Sequence, residues 1–397
     1  MQRSTVAVVK CSSSPDEDDI DRTVREAVRL SGGLEDLISK GATVIIKPNL
    51  VAPASPARGA TTDWRVCKSL ANQVREKGAR AIIAESSAIG TDTEESIKAS
   101  GYDVLRSQGY EVLDLKTCKT VKVPVPRGTV LSELSLPEVV VRADAIISVP
   151  KMKTHDQALA TLAIKNMKGV LPDALKKKFH TTFGVFRAVA ELNTVVKPAL
   201  SVVDGIIAQE GLGPIFGTPV EMGLVIAGRD PVAVDTITGL VMDIEPSKMD
   251  TTMHAAELGL GTMDVNMIDV VGLPVADVQR RFKLAIEAME EALFLPPGFE
   301  LLFNHMACTG CRSGVLSTLR DLEAEGGIDI LRDVRIVAGR MDAPPPATDR
   351  RTLFVGTCTA AFKNLGEYVQ GCPPNNVDIL SAITGTSEHP FLGGTKD

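Results

Sequence analysis

The sequence predicts an α/β protein, with a large layered domain on a mainly parallel sheet and a smaller α/β domain after it. Short, β-branched and nearly continuous apolar stretches are typical of strands that are buried on both faces. Segments with helical periodicity separate these stretches, and 397 residues exceed one ordinary hydrophobic core. The predicted strands of the large domain are 5–10, 43–48, 81–86, 145–150, 199–205 and 223–228.

Helices are predicted from periodicity and from capping residues. In residues 63–78, Val66, Leu70 and Val74 fall on one face at spacings of four. The predicted helix starts are the capping boxes of Ser14 with Glu17 and of Thr91 with Glu94, and the N-cap Asp230 followed by Pro231. Residues 110–142 differ, because their apolar stretches and turn residues predict short strands inserted into the large domain.

A domain boundary is predicted after a helical segment at 275–293, where two prolines and a glycine in 295–298 interrupt the periodicity. The predicted domains are therefore 1–294 and 295–397. In the second domain the expected order is a helix from Cys311, strands in VRIVAG and TLFVG, and a helix in PNNVDILSAITG. This order predicts a small α/β module.

Composition and charge narrow the function classes. The chain has 44% hydrophobic and 23% charged residues, and no apolar run approaches the ~20 residues that span a bilayer. A net charge of −7 argues against non-specific binding to nucleic acid. The N-terminus lacks the apolar core of a signal peptide. We expect a cytoplasmic protein that binds neither a membrane nor nucleic acid, and the sequence leaves a homo-oligomer open.

Four of the seven cysteines form a pattern late in the chain. They lie in CTGC, GTC and GCPPN, as Cys308, Cys311, Cys358 and Cys372, whereas Cys11, Cys67 and Cys118 are scattered. A CxxC pair entering a helix favours two thiolates on one metal centre, and the two distant cysteines can complete a four-thiolate set. The pattern predicts a [4Fe-4S] cluster. A zinc site and four ordinary buried cysteines are the alternatives, although zinc sites usually use two close pairs.

These cysteine motifs resemble the proximal-cluster motifs of the small subunit of nickel–iron hydrogenases and of the related small subunit of respiratory complex I. The resemblance covers about residues 304–380 and implies that all four cysteines ligate a [4Fe-4S] cluster. Residues of the nickel-bearing large subunit are absent from the sequence, so hydrogenase activity does not follow.

The large domain contains the sequence motifs IIKPNLV, AESS, VPKMKTH, LAIKNMKGVLP, SVVDGI, EGLGP and AGRDPVAVD. Together they resemble domain of unknown function 362, over roughly residues 1–275. The resemblance implies an architecture and a site, without a substrate.

Lys47, Glu85, Lys151 and Asp204 each lie at the end of a predicted strand, where α/β sheets form their ligand crevice. Residues 150–190 carry eight Lys or Arg against two Asp, a local excess of six positive charges. Lysines bind phosphate and carboxylate, so we expect a small anionic substrate. The predicted substrate-binding residues are Lys47, Asn49, Glu85, Lys151, Lys165 and Lys168, and the predicted catalytic residues are His155, Lys153 and Asp204.

Other interpretations of these residues stay open. Lys176, Lys177 and Lys178 are expected on a solvated helix face. His180 is a second histidine that could exchange protons, and Asp235 has no assigned role. The sequence has no dinucleotide-binding glycine motif, P-loop or nucleophile elbow.

The leading hypothesis is an iron–sulfur oxidoreductase for anaerobic chemistry, in which a [4Fe-4S] cluster exchanges electrons with a small anionic substrate or a second cofactor. A ferredoxin-like donor is the expected partner. The alternatives are a non-redox isomerase or lyase with a structural cluster, and an electron-carrier or cofactor-assembly protein.

Overall fold

The structure, a computed structural model, describes residues 3–290, 295–303 and 309–386. Its strands are β1 (Ser4–Lys10), β2 (Thr43–Lys47), β3 (Arg80–Glu85), β4 (Glu111–Asp114), β5 (Thr120–Pro124), β6 (Glu133–Pro137), β7 (Ala145–Ser148), β8 (Lys151–His155), β9 (Leu159–Thr161), β10 (Leu200–Glu210), β11 (Thr218–Gly228), β12 (Ile268–Gly272), β13 (Glu300–Phe303), β14 (Val334–Ala338), β15 (Arg351–Val355) and β16 (Glu367–Val369).

The α-helices of the described residues are α1 (Glu17–Leu30), α2 (Trp64–Glu76), α3 (Thr93–Ala99), α4 (Asp103–Ser107), α5 (Glu138–Val141), α6 (Ala163–Asn166), α7 (Asp173–Lys178), α8 (Val185–Leu192), α9 (Pro231–Val241), α10 (Asp250–Glu257), α11 (Val275–Val278), α12 (Ala285–Glu290), α13 (Thr309–Ala324) and α14 (Asn376–Thr384). None of the described helices is long and apolar enough to cross a membrane.

The chain divides into two units, residues 1–177 with 186–284, and residues 178–185 with 285–397. The first unit holds a ten-stranded sheet with the order β12-β1-β11-β10-β7-β2-β3-β4, in which β8 also pairs with β10, and β9 pairs with β8. Six of its nine described strand pairings are parallel. The predicted α/β class and mainly parallel sheet are confirmed.

Hydrophobic cores cover both faces of this sheet. In β11, Val225 and Ala227 join a core that includes α1 and α2, whereas Leu224 and Ile226 join a second core that includes α9. This alternation is expected because successive side chains of a strand point to opposite faces. Burial on both faces explains why the strands are nearly continuous apolar runs.

The second unit holds a four-stranded parallel sheet with the order β13-β14-β15-β16, against which α14 packs. Its helices and strands follow the predicted order. The unit begins at residue 285, ten residues before the predicted boundary, and it also includes residues 178–185. The predicted continuous helix at 275–293 is wrong over its described part, because α11 ends at Val278 and α12 starts at Ala285.

Two predicted helix starts are also wrong. Asp16, rather than Ser14, caps α1 by accepting a hydrogen bond from the amide of Asp19, and Asp92 caps α3 through the amides of Glu94 and Glu95. Aspartate caps a helix at least as well as serine or threonine does. The predicted N-cap Asp230 is confirmed by its bonds to the amides that follow Pro231.

Candidate functional site

Two charged residues end neighbouring parallel strands in the first unit. Lys47 is the last residue of β2 and Glu85 is the last residue of β3. Their side chains are buried and form an ion pair, with 2.8 Å between Lys47 Nζ and Glu85 Oε2. The amides of Leu50 and Ser86 also donate hydrogen bonds to the Glu85 carboxylate. Burial lowers the pKa of Lys47, and the charge of Glu85 opposes this effect.

Gly169 lies directly against this ion pair. A Cβ at this position would lie 2.3 Å from Glu85 Oε1 and 2.6 Å from Lys47 Nζ. Only glycine therefore leaves room for the pair beside the backbone.

Asn166 joins the ion pair to its neighbours. Its Oδ1 accepts hydrogen bonds from Lys47 Nζ and from Asn49 Nδ2, each at 3.1 Å, and its Nδ2 donates to the Lys47 carbonyl and to Ser148 Oγ. Sequence reasoning assigned no role to Asn166. The feature of the sequence that could have indicated Asn166 is its position between Lys165 and Lys168 in the motif LAIKNMKGVLP.

Lys153 extends the network through Asn49. Its ammonium donates to Asn49 Oδ1 at 2.8 Å and to the carbonyls of Ala60 and Pro214. These three acceptors use its three N–H groups. Burial, followed by the charges of Lys151 and Lys165, holds the pKa of Lys153 well below its ordinary value. The structure thus brings together the predicted residues Lys47, Asn49, Glu85 and Lys153.

Lys151 and Asp204 form a second buried ion pair, with 2.8 Å between Nζ and Oδ2. The Asp204 carboxylate also accepts the amides of Asp63 and Ile206. The expectation that Asp204 ends a strand is wrong, because β10 continues to Glu210 past a register shift between Gly205 and Ile207. Asp204 thus lies within the sheet.

His155 ends β8 and contacts both Asp156 and Lys165. Its Nδ1 lies 2.7 Å from Asp156 Oδ1, and its Nε2 lies 3.0 Å from Lys165 Nζ. The amides of Gln157 and Ala158 also lie 3.0 and 3.3 Å from Nδ1, and the Gln157 amide lies 2.8 Å from Asp156 Oδ1. A neutral imidazole accepts a hydrogen bond at one ring nitrogen only. Nδ1 accepts from these amides when Nε2 carries the proton, and it donates to Asp156 when Nε2 accepts from the Lys165 ammonium.

Burial and the charge of Lys165 lower the pKa of His155 from 6.5 to about 4. The imidazole is therefore neutral at pH 7. Burial also lowers the pKa of Lys165 to about 8, and the charge of Asp156 opposes this effect. Lys165, rather than His155, is the member of this group that can exchange a proton near neutral pH.

Asp235 lies in α9 and holds the start of α6, the short helix that carries Lys165. Its carboxylate oxygens accept the amides of Ala163, at 2.6 Å, and Ile164, at 3.3 Å, and the hydroxyl of Thr252, at 3.2 Å. Burial nevertheless raises its pKa to about 7, although these hydrogen bonds oppose the rise. Sequence reasoning left Asp235 without a role, because burial within a helix is not visible in a one-dimensional pattern.

The remaining lysines of residues 150–190 differ in their exposure to solvent. Lys168 is half-buried, and burial with the charges of Lys165 and Lys176 holds its pKa well below its ordinary value. Lys177 and Lys178 are exposed, as expected. The same expectation is wrong for Lys176, which is buried with its ammonium against the carbonyls of Ser86 and Ser87.

His180 belongs to the second unit. It lies in the π-helical turn Phe179–Phe183.

In the second unit, three cysteine-bearing segments follow parallel strands. The segment of Cys358 follows β15, that of Cys372 follows β16, and Cys311 lies in the first turn of α13, the helix that comes after β13. Since parallel strands end at one edge of a sheet, these segments lie on the same side of the unit. Cys311 is buried, whereas Cys358 and Cys372 are exposed.

Direct contacts join these segments. The amide and hydroxyl of Thr357 donate to the carbonyl of Gly371, at 2.8 and 3.1 Å. A Cβ at Gly356, whose φ is +93°, would lie 2.8 Å from Cys311 Sγ. Gly356 thus lets the loop after β15 approach the sulfur of Cys311.

The predicted ligand Cys308 lies outside the described residues. Within residues 3–290, 295–303 and 309–386, no group of three or more His, Cys, Asp or Glu side chains is placed to hold a metal ion. The predicted four-cysteine ligand set stays a prediction.

The model of one family, domain of unknown function (DUF362), matches residues 44–238. The match confirms the DUF362 resemblance for these residues, which include Lys47, Glu85, His155, Lys165 and Asp235. We call residues 44–238 the DUF362 region.

One curated relative is the thylakoid-associated protein sll1697 of Synechocystis sp. (strain ATCC 27184 / PCC 6803 / Kazusa), which is 27% identical over 297 residues, covering 71% of this chain and 88% of the relative. Among solved structures, the lactate racemase apoprotein from Thermoanaerobacterium thermosaccharolyticum aligns with a TM-score of 0.41 and 14% identity, covering 86% of this chain and 69% of that one.

Proposed function

We propose that the protein is an iron–sulfur oxidoreductase, in which Cys308, Cys311, Cys358 and Cys372 hold a [4Fe-4S] cluster and the first unit binds a small anionic substrate. The observation that carries the proposal is the arrangement of the cysteine segments after parallel strands of the second unit. A cluster with four thiolate ligands supplies single-electron transfer when it is bound. A ferredoxin-like protein is the partner that would exchange these electrons.

Two features of the described residues support this part of the proposal. Thiolates are the donors that [4Fe-4S] clusters use, and the three described segments each contribute one cysteine. Gly356 also leaves the space beside Cys311 Sγ that any side chain at this position would fill. Cys311 would be a ligand on a helix, whereas Cys358 and Cys372 would be ligands on the segments after β15 and β16.

The anionic substrate is supported by the lysines of the DUF362 region. Lys47, Lys151, Lys153, Lys165 and Lys176 are all buried within it. Burial of an ammonium is costly unless partners compensate for lost hydration, and such groups concentrate at functional sites. Lys47 and Lys153 already have three protein acceptors each, so they support the surrounding structure in this conformation.

One observation favours a second function, a non-redox isomerase or lyase whose cluster is structural. Lys165 and Asp235 have pKa values of about 8 and about 7, so both change charge near neutral pH. Groups that titrate near neutral pH serve proton transfer in isomerases and lyases as well as in reductases. The behaviour of the cluster separates the two functions.

The test is purification of the full chain under anaerobic conditions, with iron and sulfide analysis and EPR spectra before and after dithionite. We expect about four irons per chain and a signal that appears on reduction. Cys358→Ser should lower the iron content, whereas Cys118→Ser, a half-buried cysteine of the first unit, should leave it unchanged. Zinc without iron would refute the proposal, and a cluster that dithionite cannot reduce would favour the isomerase or lyase.

A further inference from the structure

Two loops of the first unit meet at Lys153. We call residues 51–60, which follow β2, the first loop, and residues 211–217, which join β10 to β11, the second loop. The Lys153 ammonium donates hydrogen bonds to the carbonyl of Ala60 in the first loop and, at 3.0 Å, to the carbonyl of Pro214 in the second. Lys153 thus links the two loops, and it is completely buried.

Gln209 makes a second link between the loops. Its Nε2 donates to the carbonyl of Arg58 in the first loop, at 3.0 Å, and to the carbonyl of Ile215 in the second, at 3.3 Å. Its Oε1 is buried and has no hydrogen-bond partner among the described residues. Within the same residues, no backbone hydrogen bond joins one loop to the other. The described hydrogen bonds between the loops therefore come from two side chains.

Glycines let each loop lie directly on a strand. A Cβ at Gly59, whose φ is +70°, would lie 2.2 Å from the carbonyl oxygen of Ala208 in β10. A Cβ at Gly213 would lie 2.0 Å from the carbonyl oxygen of Thr154 in β8. A side chain at either position would therefore push its loop away from the sheet.

The loops bury few apolar side chains of their own. The turn Pro56–Arg58 of the first loop has no buried residue, and Phe216 of the second loop is 76% exposed. Opening would also let water reach Oε1 of Gln209, which removes the cost of an unpartnered buried acceptor. Segments with few buried apolar contacts open at free energies well below that of global unfolding.

The charge of Lys153 is not neutralised by its partners. Its three acceptors are the amide oxygen of a side chain and two backbone carbonyls, whereas Lys47 and Lys151 each pair with a carboxylate. A buried ammonium without a counter-charge is costly, and the oxygen of an anion would compensate it. Displacement of the second loop would free the position that the Pro214 carbonyl occupies at this ammonium.

We propose that the two loops form a lid over Lys153, which opens without unfolding of the first unit and admits the anionic substrate to the ammonium. The inference deepens the proposed function and rests on it in one respect, since an oxygen of that substrate would take the place of the Pro214 carbonyl. The described conformation is the closed lid, which Gln209 and Lys153 hold through their bonds to both loops.

The experiment is acetylation of the anaerobically purified full chain with N-hydroxysuccinimide acetate, under single-hit conditions and at urea concentrations below the unfolding transition, with the rate at each lysine measured by mass spectrometry. The rate at Lys153 should hardly change with urea, because local opening exposes little surface. Lys47 is the internal reference, since it is equally buried and its three acceptors lie outside both loops. Its rate should follow global unfolding and rise steeply with urea.

Gly59→Ala forces a Cβ against the backbone of β10 and should displace the first loop. The acetylation rate at Lys153 should rise about ten- to hundredfold, the effect expected when an ammonium loses a hydrogen bond. Gly41→Ala is the matched control, because Gly41 has a φ of +82° with nothing within 4 Å, and it should leave the rate unchanged. Gly213→Ala displaces the second loop and should act like Gly59→Ala. It keeps the proposal testable if Gly59→Ala fails to fold, which the fluorescence of Trp64 would report.

A rate at Lys153 that rises with urea as steeply as the rate at Lys47 would overturn the proposal. Equal rates at Lys153 in Gly59→Ala, Gly213→Ala and Gly41→Ala would do the same. Iron content and EPR spectra are measured on the same preparations. Protein with a reducible cluster, in which Lys153 is acetylated only on unfolding, would overturn this inference and leave the proposed function standing. Local opening at Lys153 in protein that holds no iron would do the reverse.

Discussion

His155 and Asp235 should make opposite contributions to the pH dependence of stability. The folded protein lowers the pKa of His155 from 6.5 to about 4, so the unfolded chain takes up this proton first as the pH falls. The associated stability is present above pH 6.5 and is lost towards pH 4. Asp235 behaves inversely, because its pKa rises from 3.8 to about 7 and stability is lost as the pH rises between these values.

The magnitudes follow from these pKa changes. At ~1.36 kcal/mol for each pKa unit, the full effects are about 3 kcal/mol for His155 and about 4 kcal/mol for Asp235. Between pH 6.5 and 4.5 each group accounts for about 2–3 kcal/mol, with opposite sign. The two contributions therefore nearly cancel in the wild-type protein over this range.

Urea unfolding at several pH values measures these contributions. Trp64, the one tryptophan of the sequence, lies at the start of α2 and reports on the first unit. Relative to wild type, His155→Gln should gain about 2–3 kcal/mol between pH 6.5 and 4.5, whereas Asp235→Asn should lose a similar amount. Altered packing adds only an offset that is independent of pH. Differences that are flat with pH, or that share a sign, would refute the pKa assignments.

Two further perturbations test the structural basis of the sites. Lys47→Met leaves Glu85 buried without its ion partner and should destabilise the first unit by about 3–5 kcal/mol. The control Lys77→Met breaks the exposed pair with Glu35 and should cost less than about 1 kcal/mol in the same urea assay. Equal costs would contradict the structural role of the buried pair. Gly356→Ala should lower the iron content of the protein, because its Cβ would displace Cys311 Sγ. The control Gly385→Ala introduces similar backbone strain in open space and should retain iron. Full iron content in Gly356→Ala would show that cluster binding does not need the close approach of residue 356 to Cys311.

The sequence predicted the fold well because strands buried on both faces are continuous apolar runs, and a parallel sheet places their ends together. The same rule located Lys47 and Glu85 at neighbouring strand ends. The rule failed for Asp204, because β10 continues beyond Gly205, the glycine that suggested the end of the strand. The pairing resumes after a register shift between Gly205 and Ile207. A local pattern of apolar residues does not reveal how long a paired strand continues.

The candidate site was only partly predictable, since its chemistry depends on contacts distant in sequence. The sequence motifs of the DUF362 region indicated His155 and Lys165 as site residues. They did not indicate that the imidazole is neutral, because its low pKa results from burial and from the charge of Lys165. Asp235 has its raised pKa because α9 is buried on nearly all sides.

The oxidoreductase and the isomerase or lyase make different predictions for turnover by Cys358→Ser. Cys358 is exposed in the second unit, whereas Lys165 and Asp235 belong to the first unit. Under either function the variant should lose the EPR signal that appears on reduction, because it lacks one cluster ligand. If the cluster transfers electrons, reduction of the substrate should also be lost in variant protein that remains folded. If the cluster only stabilises the fold, the stability of the second unit should fall, while proton exchange on a substrate should persist in every variant that remains folded. Measuring turnover, proton exchange and unfolding on this one variant therefore assigns the cluster to electron transfer or to structure.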